Sequence, residues 1–300
     1  MKFRAPMLLS IPTSIALALG AAACGESPPP PAPPPVTTAT PPPAVAATPP
    51  SAAPAPAPAP TPAPVAKADP HAAAKAIVDA PDRSEKDRAL DAGRHPAELL
   101  ELLALPAGGK VAEIGAGPGY TTELLVRAVG PTGKVFMQNE PTWHAFLAEG
   151  LAERFTHPVM KTAVVVANER PFQDPFPPEA KDLDAVLINI IYHDVVNTKT
   201  DRAVMNKHVF DALRPGGEYV VVDTSAPAGS GVSAAKKLHR IDEQVVKDEI
   251  TKAGFELAAT GSFLKNPDDK RDWDASPGAA TKSGKRGTSD RFVFRFVRPR

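Results

Sequence analysis

Two stretches of this 300-residue chain carry residue types that can do chemistry. The first is Asn189-Ile-Ile-Tyr192-His193-Asp194, in which an imidazole able to take a proton near neutral pH stands beside a carboxylate that can orient its ring. A structural reading of the same residues is open too: Tyr192 packs, His193 faces solvent and Asp194 caps the next helix. Metal binding draws little support, because a catalytic site wants at least three protein ligands and a lone His-Asp pair falls short. The second stretch is KVAEIGAGPGY from Lys110 to Tyr120, a short apolar run ending in Glu113 and glycines at alternate positions. Such a run reads as a buried strand turning sharply into a helix over 121–129, with glycine where a ligand must touch backbone.

The glycine spacing narrows the ligand. Gly115, Gly117 and Gly119 give G-x-G-x-G, and Tyr120 stands where a dinucleotide fingerprint needs its third glycine. No Gly-Lys-Ser/Thr follows, so a P-loop is excluded. Glu113 would repel a phosphate but suits a cation, and S-adenosylmethionine carries a sulfonium and an ammonium against one carboxylate.

At this point the chain resembles the class I, seven-stranded S-adenosylmethionine-dependent methyltransferases, and within them a group of predicted bacterial methyltransferases. The resemblance covers about 82–299 and gains from the order of four landmarks. After the glycine motif come GKVFMQN from Gly133 to Asn139, resembling the second strand, and 183–191, resembling the fourth. LRPGG from Leu213 to Gly217, followed by EYVVVDTS, resembles the turn into the fifth. The resemblance implies that the end of strand two grips the ribose, a place held here by Asn139 with Glu140 beside it. It implies that Asn168 or Glu169, after strand three, meets the adenine amine. The strand-four loop would lie against the methionine end of the cofactor and the acceptor, so His193 would act as base, with Asp194 and Tyr192 beside it. Cofactor contacts are therefore expected from Glu113, Gly115, Gly117, Gly119, Tyr120, Asn139, Glu140 and Asn168. A helical segment before the first strand would close over the cofactor and turn Arg94 and His95 toward the pocket. HRID, His239 to Asp242, matches a signature of the group, and His239 or Arg240 could contact the acceptor.

The elements that must position these residues alternate as a doubly wound α/β sheet requires. Helices are expected over 82–91 and 96–105 and then, after the glycine strand and its helix, strands over 134–139 and 162–167 flanking a helix over 143–153. A strand over 184–191, a helix over 201–213, a strand over 218–224 and a helix over 238–253 follow. Strands over 256–263 and 291–297 form a terminal antiparallel hairpin, completing a mostly parallel seven-stranded sheet. The polar excursion 265–290 between them is too long for a tight turn and reads as a substrate-covering loop or a disordered tongue.

The N-terminus is of another kind. Lys2 and Arg4, an apolar run over 7–20 and Ala21-Ala-Ala-Cys24 resemble a bacterial lipoprotein signal, in which Cys24, the chain's one cysteine, becomes lipidated. An ordinary secretory signal is the alternative. Residues 25–70 are rich in proline and alanine and read as a stiff tether reaching on the order of 140 Å when extended. The globular domain is thus expected at 71–300, exported and anchored to the cell envelope, or cytoplasmic if the signal is inert. With 34 basic and 34 acidic residues the net charge is zero. No aromatic platform accompanies the basic stretch at 282–286, which argues against nucleic acid. The expected activity is methyl transfer from S-adenosylmethionine to a small-molecule acceptor. The rivals are a lipid-tethered binding module on a degenerate methyltransferase fold and, third, a nicotinamide-dependent oxidoreductase.

Overall fold

The computed structural model describes residues 69–300. The signal, Cys24 and nearly all of the tether lie outside the described residues; Pro70, placed in the tether above, is instead the first residue of a helix that Asp69 caps by accepting from the His71 amide. Among the described residues no helix is long and apolar enough to cross a membrane.

Seven strands form one sheet: β1 Lys110–Ile114, β2 Lys134–Asn139, β3 Val164–Glu169, β4 Leu183–Asn189, β5 Leu213–Thr224, β6 Glu256–Gly261 and β7 Arg291–Val297. Their order is β3-β2-β1-β4-β5-β7-β6. β1 pairs in parallel with both β2 and β4, whereas β7 runs antiparallel between β5 and β6. The expected doubly wound α/β sheet with a C-terminal antiparallel hairpin is thus observed. The order reverses between β1 and β4, and at such a switch point the C-terminal strand ends open a crevice that ligands enter.

The helices are α1 Pro70–Val78, α2 Glu85–Arg94, α3 Pro96–Leu103, α4 Tyr120–Val129, α5 His144–Thr156, α6 Tyr192–Val196, α7 Arg202–Ala212, α8 Ala235–Leu238, α9 Glu243–Lys252 and α10 Pro277–Lys282. Alternation along the strands sorts the apolar residues onto two faces. Val111, Val135, Leu187 and Val220 pack with Leu99, Leu124 and Val126 from α3 and α4. Ile114, Phe136, Ile188, Tyr219 and the row Phe292, Phe294, Phe296 pack with Met205, Val209, Val246 and Ile250 from α7 and α9. Each large side chain buried this way contributes roughly 1.5–3 kcal/mol.

Beyond end shifts of a few residues, such as β3 at Val164–Glu169 and β5 beginning at Leu213, three departures bear on the site. The helix foreseen over 238–253 is broken: α8 stops at Leu238, His239 takes φ +49°, and α9 starts at Glu243 under an Asp242 cap. Tertiary structure overrides the helical pattern here, because Ile241 bridges Ser225 and Arg240 is fully buried. Strand β4 ends at Asn189, two residues early, as Ile190 adopts φ +63°. The excursion 265–290 is an ordered cover, neither disordered nor a bare loop. Arg240 holds it through Asp269 at 2.8 Å, donates to the Trp273 carbonyl and lies over the Trp273 ring.

Candidate functional site

All three loop glycines have positive φ, +67° at Gly115, +59° at Gly117 and +86° at Gly119, which a side chain would strain. Their surroundings differ. A Cβ on Gly115 would sit 2.6 Å from Ile191, whereas one on Gly117 would meet nothing within 4 Å. Gly115 is therefore a packing glycine beneath the β4 loop, and Gly117 faces open space at the switch point.

The end of β2 is used differently from expectation. Asn139 accepts from the Gly117 amide at 2.8 Å and donates to the Gly117 carbonyl at 3.0 Å. Both ends of its amide are thus engaged in the loop, a pairing that an aspartate, having no donor, could not make. Gln138 likewise accepts from the Gly115 amide at 2.9 Å. Asn139 shapes the glycine loop, with one lone pair and one N–H left over beyond these bonds. One oxygen of Glu140 accepts from the Phe172 amide at 2.9 Å, and its other oxygen has no hydrogen bond among the described residues.

At the end of β3 a cavity of about 270 Å³ is lined by Met137, Asn139, Leu151, Ala167, Asn168 and Glu169. Ligand pockets run from roughly 300 to 1,000 Å³, so this space suits part of a ligand. Asn168 donates to the Met137 carbonyl, while its buried Oδ1 has no partner in the structure. A buried acceptor left unpaired is costly, and an amine donor would satisfy it. Glu169 is instead engaged with His144 at 2.6 Å.

Two residues expected to touch cofactor are turned inward. Glu113 is 3% exposed and accepts from the Thr122 hydroxyl at 2.5 Å. Burial pushes its carboxyl up to about 7, against the opposing pull of the Thr122 and Thr121 hydroxyls and of Arg94 and Arg154. The Tyr120 hydroxyl donates to Asp91 at 2.6 Å and so fastens α2 to the glycine loop. A buried network reinforces that closure. Arg154 binds Asp87 at 2.6 and 2.9 Å, contacts Glu123, and donates to the Pro118 carbonyl inside the loop. Arg94 lies over the Tyr120 ring at 4.5 Å, whereas His95 pairs with Glu98 away from it.

The imidazole of His193 is 4% exposed at the end of β4, and its Nδ1 lies 2.7 Å from Oδ1 of Asp223, the penultimate residue of β5. Asp223 is wholly buried and also accepts from the backbone amides of His193 and Thr224. As an acceptor it fixes the proton on Nδ1 and leaves Nε2 with a lone pair. Burial disfavours the charged ring, but the charge and hydrogen bond of Asp223, with Asp194 adding to them, prevail and raise its pKa above the ordinary imidazole value. Asp194, 3.5 Å from Nε2, therefore flanks that nitrogen and does not orient the ring. Tyr192 belongs to the core. Its hydroxyl donates to Glu249 and accepts from Asn206, and it is 0% exposed. The backbone at Ile190 bends the chain from β4 into this site. A β-branched residue at φ +63° is an outlier, with strain of order 1–3 kcal/mol.

Asp223 was not singled out from the sequence, although it stands at a strand end in EYVVVDTS, where ligands of such sheets are met. His239 does reach the site. Its ring stands edge-on to His193 at 5.6 Å, with Nδ1 held 2.9 Å from Asp274 of the excursion. Arg240 does not, being spent on Asp269 and the Ser225 carbonyl. For S-adenosylmethionine the residues present fit at the open Gly117 and at the orphaned Asn168 acceptor, and at the β2 end Glu140 alone retains a free carboxylate oxygen.

The sequence profile of the protein-L-isoaspartate(D-aspartate) O-methyltransferase family matches residues 68–140, from α1 through the glycine loop to the end of β2. A protein-L-isoaspartate O-methyltransferase of Methanopyrus kandleri is 27% identical over 148 residues, 49% of this chain and 58% of that protein. The O-methyltransferase xanE of Aspergillus fumigatus is 24% identical over 146 residues, 48% of this chain and 32% of that protein. The chain thus spans between a third and three fifths of the length of these curated relatives. A SAM-dependent methyltransferase structure from Aquifex aeolicus superposes with a TM-score of 0.48 at 14% identity, covering 77% of this chain and 99% of that one. The strand order is that of a Rossmann-like α/β fold, and the match over 68–140 makes the chain similar there to methyltransferases, a likeness that implies S-adenosylmethionine as the cofactor.

Proposed function

We propose that this chain transfers a methyl group from S-adenosylmethionine to a small-molecule acceptor, with His193 taking the acceptor's proton. The observation that carries the reading is the His193–Asp223 pair at the ends of β4 and β5, across the switch point from the open Gly117. When bound, the cofactor supplies a methyl group already activated on a sulfonium. With the methyl group passing to the acceptor, Nε2 of His193 would take the acceptor's proton. Asp223 holds the ring in the tautomer that can receive it and stabilises the imidazolium that results. Asn168 Oδ1 would accept from the adenine amine, and Asn139 holds the glycine loop in shape. The cover supports a small acceptor over a protein one. A Cβ on Gly93 of α2 would lie 2.7 Å from Gly287 of the excursion, so α2 and the excursion meet.

The test is calorimetry of S-adenosylmethionine and S-adenosylhomocysteine with NAD as control, followed by an acceptor screen. Micromolar binding of both, and a transfer rate that falls on His193→Ala without loss of binding, are expected. A folded chain that binds neither would favour the binding-module reading, for which the engagement of Asn139 with Gly117 is the supporting observation. We further propose that Cys24 is lipidated and tethers the domain to the envelope. Radiolabelled palmitate should enter the wild-type chain and not Cys24→Ala; equal labelling would refute the tether.

A further inference from the structure

Four arginines are buried among the described residues, Arg83, Arg154, Arg240 and Arg291. The first three each bind a carboxylate: Asp91, Asp87 and Asp269. Arg291 does not. Its Nη1 donates to the Gly93 carbonyl and its Nε to the Ser289 hydroxyl, and it makes no ion pair among the described residues. The Gly93 contact sets it against the residue that precedes Arg94. Arg94, half-buried over the Tyr120 ring, has neither hydrogen bond nor ion pair among the described residues.

The carboxylates nearby do not neutralise this pair. Asp223 is committed to His193 and Thr224, and Glu113 is bonded to Thr122 and holds its proton up to about neutrality. Arg286 of the excursion adds a further positive charge within electrostatic reach of Arg94. A guanidinium withdrawn from water without a counter-charge is strongly disfavoured, and burial holds Arg291 down to about 10. An anionic group of a ligand would relieve both residues at once. Asp87 and Asp91 around them favour a monoanion over a phosphate dianion, and the guanidinium fork matches a carboxylate.

We propose that Arg94 and Arg291 form a carboxylate subsite between the glycine loop and the His193–Asp223 pair. This rests on the methyltransferase reading above, and the carboxylate comes either from the methyl acceptor or from the amino-acid end of the cofactor. The two sources are separable with the full chain and its Arg94→Met and Arg291→Met variants. Binding of S-adenosylhomocysteine is compared with that of 5′-methylthioadenosine, which lacks the amino-acid end, and melting is followed with succinate or benzoate in the presence of S-adenosylhomocysteine.

Ligand-free Arg94→Met is expected to melt no lower than wild type, because an unpaired cation has been removed, whereas Arg291→Met also gives up the bonds to Gly93 and Ser289. A tenfold or greater loss of S-adenosylhomocysteine affinity with unchanged methylthioadenosine binding assigns the subsite to the cofactor. Unchanged nucleoside binding with loss of the carboxylate-induced rise in melting temperature assigns it to the acceptor. If neither ligand effect changes in folded variants, the proposal is overturned. If wild type binds no S-adenosylhomocysteine, the methyltransferase reading fails by itself, and the carboxylate-induced rise in the ligand-free chain decides the subsite. Should the Met variants not fold, Arg94→Lys and Arg291→Lys keep the charge without the fork and are expected to weaken the same binding about tenfold. Lys variants that do not fold, or that bind as wild type, also overturn it.

Discussion

Glu113→Gln offers a test of the buried acid that needs no acceptor. Glu113 lies under α4 at 3% exposure, and its carboxyl is raised from 4.5 to about 7 chiefly by burial. The folded pKa lies above the unfolded one, so the stability contributed by the protonated acid is fully present below the unfolded value and is lost as pH rises toward the folded value. The interval from 4.5 to about 7, at about 1.4 kcal/mol per pH unit, amounts to about 3 kcal/mol. Glutamine mimics the protonated acid, and its amide oxygen can still accept from the Thr122 hydroxyl. Urea unfolding of wild type and Glu113→Gln at a series of pH values isolates the effect, because other titrating groups cancel in the difference. Relative to wild type, the variant should gain about 3 kcal/mol between pH 4.5 and pH 8. A difference that stays flat over this range, or that falls with pH, would refute the assignment of a neutral, desolvated acid beneath the glycine loop.

Other expectations follow from the same contacts. Asp223→Asn removes the charge that raises the His193 pKa, so an NMR titration of that imidazole should move its midpoint to lower pH. The pH profile of transfer, which in wild type rises as His193 loses its proton, should shift with it; an unmoved midpoint would detach Asp223 from His193. Arg154→Ala leaves Asp87 buried without its partner, while Glu123 keeps Arg127 and His157, and should lower stability by about 3–5 kcal/mol in urea unfolding. A loss below about 1 kcal/mol would mean that the network between α2, α4 and α5 relaxes freely. Gly115→Ala meets Ile191 at 2.6 Å as well as an unfavourable φ, whereas Gly117→Ala meets only the φ. Gly115→Ala should therefore be the more destabilising, Gly117→Ala costing about 1–2 kcal/mol, and the reverse order would contradict the packing assigned to Gly115.

Much of the architecture was legible along the chain because it depends on local pattern. The apolar runs that become β1, β4 and β5 reveal themselves by composition, the glycines by the positive φ that only they adopt cheaply, and the strand–helix alternation by its period. His193 could be singled out because a titratable residue next to a strand end is a local fact. Its partner could not, since Asp223 lies 30 positions away and meets it through the parallel neighbours β4 and β5. The same reason hid the engagement of Asn139 with Gly117, the broken helix at His239 to Asp242, and the anchoring of the excursion by Arg240. Sequence by itself determined the α/β class, the strand sequence and the kind of loop that meets a ligand. Only the tertiary structure decided which polar groups are spent on one another and which, like Asn168 Oδ1 and the Arg94 guanidinium, have no partner among the described residues. Pairing of buried charges and amides depends on distances across the sheet, and spacing along the chain does not encode those distances.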